Sequence, residues 1–285
     1  MAAERLRRVT SSDGVTLAVY ERGDPTAPTI VAIHGYPDDH SVWDAVVPLL
    51  ADRFHVVTYD VRGAGGSDKP RARSAYRYAR LTDDLATVLD AVSPDAPVHL
   101  LAHDWGSIQV WPALPQLPGR IATFTSISGP SLEHGGIWLR KVREHPWASL
   151  RQMGHSYYLA LFQLPGLPEL VVRSAVADRK LRAAGHTGAS VDDRVHGVML
   201  YRANAFGAVR RPRPRPVAVP VQLIVPESDP FVTPQIAVGA AEPWVPDLTV
   251  HRVAGGHWIV TEQPDLVAEL TADHIDNHLQ TGVVR

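Results

Sequence analysis

Four short stretches of this chain hold residue types suited to covalent chemistry: HGYPD (His34 to Asp38), HDWG (His103 to Gly106), PESD (Pro226 to Asp229) and GGHW (Gly255 to Trp258). Each follows an apolar run of strand length. In an open parallel sheet, ligands gather beyond the carboxyl ends of the strands, so the four stretches would meet at one rim. Asp104 stands where a strand turns into a helix, the place of an elbow nucleophile. Such a turn needs small neighbours because the backbone reverses sharply while the side chain projects, and Ala102 and Gly106 meet that need. The positive end of the following helix favours negative charge there. An aspartate in that place can equally be no more than a helix N-cap. Asp229 and His257 follow in the order nucleophile, acid, histidine, and Gly255 and Gly256 give the histidine loop room to turn. Glu227, two residues earlier, is the rival acid.

Residues this far apart in sequence need a sheet to bring them together. Alternation from Thr16 to Glu21 predicts an edge strand. Apolar runs from Thr29 to Ile33, His55 to Tyr59, Val98 to Ala102, Ala122 to Ile127, Val221 to Val225 and Leu248 to Val253 predict mostly buried strands. Leu81, Leu85, Val88 and Leu89 share one face of a helix predicted from Tyr78 to Val92, and a last helix runs from Pro264 toward Leu279. This is the rhythm of an α/β chain with a mostly parallel sheet and helices on both faces. It is interrupted once, from Ser131 to Arg215, where helical spacings of aromatic residues and leucine predict an insertion. RRPRPRPVAVP, from Arg210, forbids a helix and predicts an extended, solvated connector. The division is therefore a core of 1–130 and 216–285 with a helical cap of 131–215.

The 285 residues carry a net charge of −2, which points to neither a nucleic acid nor an anionic membrane as partner. With no cysteine there is no disulfide, thiolate metal site or cysteine nucleophile. His274 and His278 have metal-ligand spacing, but no third ligand is evident, so the expectation is no metal and no cofactor. No stretch reads as a signal peptide or a membrane span, and a cytoplasmic protein is expected; monomer and homodimer are both compatible.

The motifs together resemble those of the α/β-hydrolase-fold epoxide hydrolases, over nearly the whole chain. HGYP is similar to the family's HGxP, HDWG to its aspartate elbow, and YDVRGAGGSDKP (Tyr59 to Pro70) to its DxRGxGxS loop. YYLALFQLPG (Tyr157 to Gly166) and LYRAN (Leu200 to Asn204) resemble the cap segments that bear two ring-opening tyrosines, which fall on Tyr158, with Tyr157 as alternative, and on Tyr201.

The resemblance implies an epoxide, of lipophilic character given the cap's composition, opened to a vicinal diol. A positioned carboxylate suits backside displacement at a saturated carbon, and two phenols can protonate the departing oxygen. His257, oriented by Asp229, would then activate the water that hydrolyses the Asp104 ester. Backbone N–H groups of Tyr36 and Trp105 are the expected oxyanion hole. His34, Pro37, Trp105, Tyr157 and Phe162 are expected to line the substrate site. The alternative is a haloalkane dehalogenase, which shares the aspartate, histidine and acid but expels halide.

Overall fold

The computed structural model describes residues 4–183, 186, 188 and 190–282. Its centre is an eight-stranded sheet made of β1 (Arg5–Thr10), β2 (Thr16–Arg22), β3 (Thr29–Ile33), β4 (His55–Tyr59), β5 (Val98–His103), β6 (Ile121–Ile127), β7 (Val221–Pro226) and β8 (Leu248–Val253). The spatial order is β1-β2-β4-β3-β5-β6-β7-β8. The pairs β1–β2 and β2–β4 are antiparallel and the rest parallel. Every residue of β3, β4, β5 and β7 is buried, because helices cover both faces of a parallel sheet and each side chain of a central strand meets a helix.

The two faces separate by the two-residue period of a strand. Val31 and Ile33 pack with Leu85, Val88 and Trp111 on one side, whereas Ile30 and Ala32 pack with Trp43, Val267 and Ile275 on the other. The first cluster takes in the apolar stripe of the helix Tyr78–Val92, and the second that of the terminal helix Pro264–Gly282. Removing one such side chain, as in Leu85→Ala, would cost about 2–5 kcal/mol through lost burial and a residual cavity.

One expectation fails at the sheet's edge. The strand from Thr16 is internal, and the outer strand is β1, which the sequence pattern did not suggest. RLRRVT has Val9 as its one buried residue, and arginines on an edge strand both suit solvent and discourage pairing with another chain.

Between β6 and β7 the described residues form helices alone: Leu132–Arg140, Pro146–His155, Tyr157–Leu161, Leu167–Val172, Ala175–Ala183, Val191–Leu200 and Phe206–Arg210, with a π-helical turn over Tyr201–Ala205. Ser190 and Asp193 form a reciprocal capping box at the start of Val191–Leu200, and Asp193 also pairs with Lys69 (3.1 Å), which ties this helix to the loop after β4. Asn204 holds the π turn in place. Its Nδ2 donates to the carbonyls of Leu200 and Tyr76, and its Oδ1 accepts from the Tyr78 N–H. A π turn re-aims the side chains beside it, and here that residue is Tyr201.

Candidate active site

Asp104 lies between β5 and the helix Trp105–Ala113 with φ +49° and ψ −121°, a conformation that is strained for a residue with a Cβ. Its side chain makes no capping bond to that helix, so the N-cap reading does not hold. Instead Oδ1 accepts the backbone N–H of Tyr36 at 2.8 Å. The turn is possible because three glycines let other backbones approach it. A Cβ on Gly106 would stand 2.2 Å from the Ile33 carbonyl oxygen, one on Gly35 2.5 Å from Asp104 Cβ, and one on Gly129 2.3 Å from the Asp104 carbonyl oxygen. Gly106 was expected in this role; Gly35 and Gly129 come from the loops after the neighbouring strands β3 and β6.

The other two loops deliver an acid and a base. His257 Nδ1 lies 2.9 Å from Asp229 Oδ2, and its Nε2 lies 3.6 Å from Asp104 Oδ2. All three side chains are buried. Asp229 also accepts the N–H groups of Phe231 (2.7 Å) and Val232 (3.0 Å). Burial would raise its pKa, but His257 and these N–H groups hold the carboxyl below its ordinary value. Glu227, the rival acid, is exposed and takes no part. Burial opposes a charge on His257, yet the carboxylates of Asp229 and Asp104 outweigh it and push the imidazole up to about 10.

In front of Asp104 opens a cavity of about 450 Å³, walled by Tyr158, Phe162, Tyr201, Phe231 and His257. Tyr201 is only 5% exposed, and its ring meets those of Trp105 and Phe162 edge-on at 4.8 Å and that of Tyr158 at 5.9 Å. Apolar surroundings, and after them the charge of Asp104, hold both phenols above their ordinary pKa, so both are protonated at neutral pH. Of the two adjacent tyrosines, Tyr158 packs into the core while Tyr157 is 71% exposed at the cavity's rim. Tyr36 donates its hydroxyl to the Arg194 carbonyl at 2.9 Å, and Pro37, after a cis peptide, lines the cavity.

His34 is a correction. It does not line the cavity; its Nδ1 donates to the Gly35 carbonyl (2.8 Å) and its Nε2 accepts the Val61 N–H (2.9 Å). With both ring nitrogens occupied it braces the loops after β3 and β4, and so holds the Tyr36 N–H in place rather than touching a ligand.

The alpha/beta hydrolase fold family matches residues 28–264. The chain belongs to that family. Probable oxidoreductase EphD of Mycobacterium tuberculosis is 40% identical over 95% of this chain and 49% of its own length, and Epoxide hydrolase A of the same organism is 34% identical over 62% and 54%. The chain thus spans about half the length of these curated relatives. An epoxide hydrolase structure from metagenomes of hot environments has the same fold, with a TM-score of 0.78 at 22% identity over 98% of this chain and 99% of that one.

The sequence reading missed a second buried network of this alpha/beta hydrolase. Asp38, which closes the HGYPD stretch, accepts from Trp258 Nε1 (3.0 Å) and pairs with His186 Nδ1 (2.7 Å), and His103 Nε2 donates to the His257 carbonyl (2.9 Å). Asp38, His103 and Trp258 abut Pro37, Asp104 and His257 in sequence, whereas His186 comes from the segment between β6 and β7. His274 and His278 stack edge-to-face, with His278 Nδ1 bonded to the His274 carbonyl at 2.7 Å. Among the described residues one trio, Asp39, His40 and Asp60, has metal-ligand spacing. The Asp60 oxygens already accept from His40, Gly66 and Tyr20, which explains the trio as a loop brace. Among the described residues no helix is long and apolar enough to cross a membrane.

Proposed function

We propose that this chain is an epoxide hydrolase that opens lipophilic epoxides to vicinal diols, with residues 131–215 as a cap over a core of 1–130 and 216–285. The reading rests on one observation above the rest: two protonated phenols and an elbow carboxylate share a single, largely apolar cavity. The name of Epoxide hydrolase A agrees with it.

In the first step Asp104 Oδ2 attacks an epoxide carbon, the ring C–O bond breaks, and the departing oxygen takes a proton from Tyr158 or Tyr201. Oδ1 stays on the Tyr36 N–H throughout. Esterification removes the charge of Asp104, which is one of the two charges that hold the His257 proton. The imidazole's pKa then falls, so His257 gives up its proton while the phenolate left by ring opening regains one, and the neutral imidazole can accept a proton from water as that water attacks the ester carbon. The resulting oxyanion is Oδ1, already in place at the Tyr36 N–H, with the Trp105 N–H as the proposed second donor. Collapse passes that proton from His257 to the departing diol oxygen, and the carboxylic acid left on Asp104 gives its own proton to His257, which restores the carboxylate and the imidazolium.

A halide-expelling reaction would leave both phenols without work, and the Tyr36 hydroxyl, tied to Arg194, could not serve a halide. The test is a panel of terminal, aryl and long-chain epoxides alongside bromoalkanes. Diol formation is expected; halide release without diol formation would overturn the proposal.

A further inference from the structure

The net charge of −2 conceals a strong segregation. Residues 131–215 hold fourteen of the 28 Lys and Arg but only six of the 30 Asp and Glu, a surplus of eight positive charges against ten negative on the remainder. The same segment also holds twelve of the fifteen large apolar side chains exposed among the described residues.

The helix Pro146–His155 is turned inside out. Its polar residues Ser149 and Gln152 are buried, Ser149 against His145 and Gln152 bonded to the Phe231 carbonyl and the Thr233 N–H. Its apolar residues face outward: Trp147 is 83% exposed, Leu150 53% and Met153 49%, with the exposed cation Arg151 among them. An amphipathic helix ordinarily does the opposite. Leu170 (70% exposed) on the helix Leu167–Val172, the exposed Arg173 at its end and the exposed Arg179 on the helix Ala175–Ala183 extend the pattern. Gly154, Val171 and Lys180, from the same three helices, line the substrate cavity, so the helices that carry the apolar, basic surface also wall that cavity.

From this juxtaposition we infer that the cap face around Trp147 and Leu150 docks on an anionic lipid surface, with the cavity opening toward the acyl chains. Charge complementarity selects this partner. Exposed tryptophan and leucine beside unpaired arginine is what an interfacial helix presents to anionic headgroups, whereas a two-fold contact between copies would press two faces of like charge together. The docking itself does not depend on the epoxide reading; only the benefit of drawing a lipophilic substrate from the bilayer does.

The experiment is co-sedimentation of the full chain with vesicles of phosphatidylcholine alone or with phosphatidylserine. Binding to the anionic vesicles that weakens with salt is expected. Trp147→Glu/Leu150→Glu should abolish it, and Arg151→Glu/Arg179→Glu should weaken it by more than about 25-fold, since each basic residue near such a surface contributes about fivefold. Both variants change exposed side chains and should keep the wild-type melting temperature and the turnover of a water-soluble epoxide. Failure to bind anionic vesicles overturns the inference. So does a concentration-dependent dimer without lipid that Trp147→Glu/Leu150→Glu dissolves, since the face would then be a contact between copies.

Discussion

Replacing Tyr201 with phenylalanine separates the two chemical steps. The ring packs edge-on against Trp105, Phe162, Tyr36 and Tyr158 at 4.8 to 5.9 Å, and all of that packing survives loss of the hydroxyl. Stability should therefore stay within about 1.5 kcal/mol of wild type. Removing one donor to a developing oxyanion typically costs about 2.7–4 kcal/mol, or 10²–10³ in rate. Because Tyr158 still faces the same cavity, the lower end applies, an alkylation rate about 100-fold slower. Tyr158→Phe/Tyr201→Phe should be slower by about 10⁴. Stopped-flow tryptophan fluorescence in a single turnover reads this directly, since Trp105 adjoins the nucleophile. Hydrolysis of the ester, which uses His257 and not the phenols, should change by less than about threefold, a small effect beside one lost donor. Alkylation within about twofold of wild type in both single variants, or a loss confined to hydrolysis, would refute the reasoning, because neither is compatible with phenols that protonate the leaving oxygen.

His257→Gln should leave alkylation fast and hydrolysis slowed by about 10²–10⁴; mass spectrometry should then find one epoxide added per chain, on Asp104. Gly35→Ala should abolish turnover, because its Cβ would stand 2.6 Å from Asp104 Oδ1 in the space next to the Tyr36 N–H; thermal unfolding should show a loss of about 1–3 kcal/mol from overpacking. The His257 pKa is raised from 6.5 to about 10, so its contribution to stability is complete below pH 6.5 and is lost as pH rises through about 10. The melting-temperature difference between wild type and His257→Gln should shrink over that window, and a difference that grows would contradict the ion-pair geometry.

What could be read in advance followed from position relative to strands. Asp104 and Asp229 each sit just past a fully buried strand and His257 past the half-exposed strand β8, and a parallel sheet leaves little freedom in where such residues go. Asp229 rather than Glu227 meets His257, held by the N–H groups of Phe231 and Val232, a detail of loop geometry that residue spacing does not express. His34 looked like a ligand contact because its type and motif suited one, and only the Val61 N–H shows that its ring faces the wrong way. β1 escaped notice because its partner supplies the hydrogen bonds while half of its own six side chains are charged. The surface of residues 131–215 was hidden for a different reason: net charge sums over the whole chain, whereas recognition depends on where the charges lie.

The covalent bond proposed between Asp104 and the substrate is tested most directly by a single turnover in oxygen-18 water. With enzyme in excess over epoxide, the diol should emerge unlabelled and Asp104 should carry the isotope, because the carboxylate supplies the new hydroxyl oxygen and water replaces it. Label in the diol, with none on Asp104, would show that water attacks the epoxide itself.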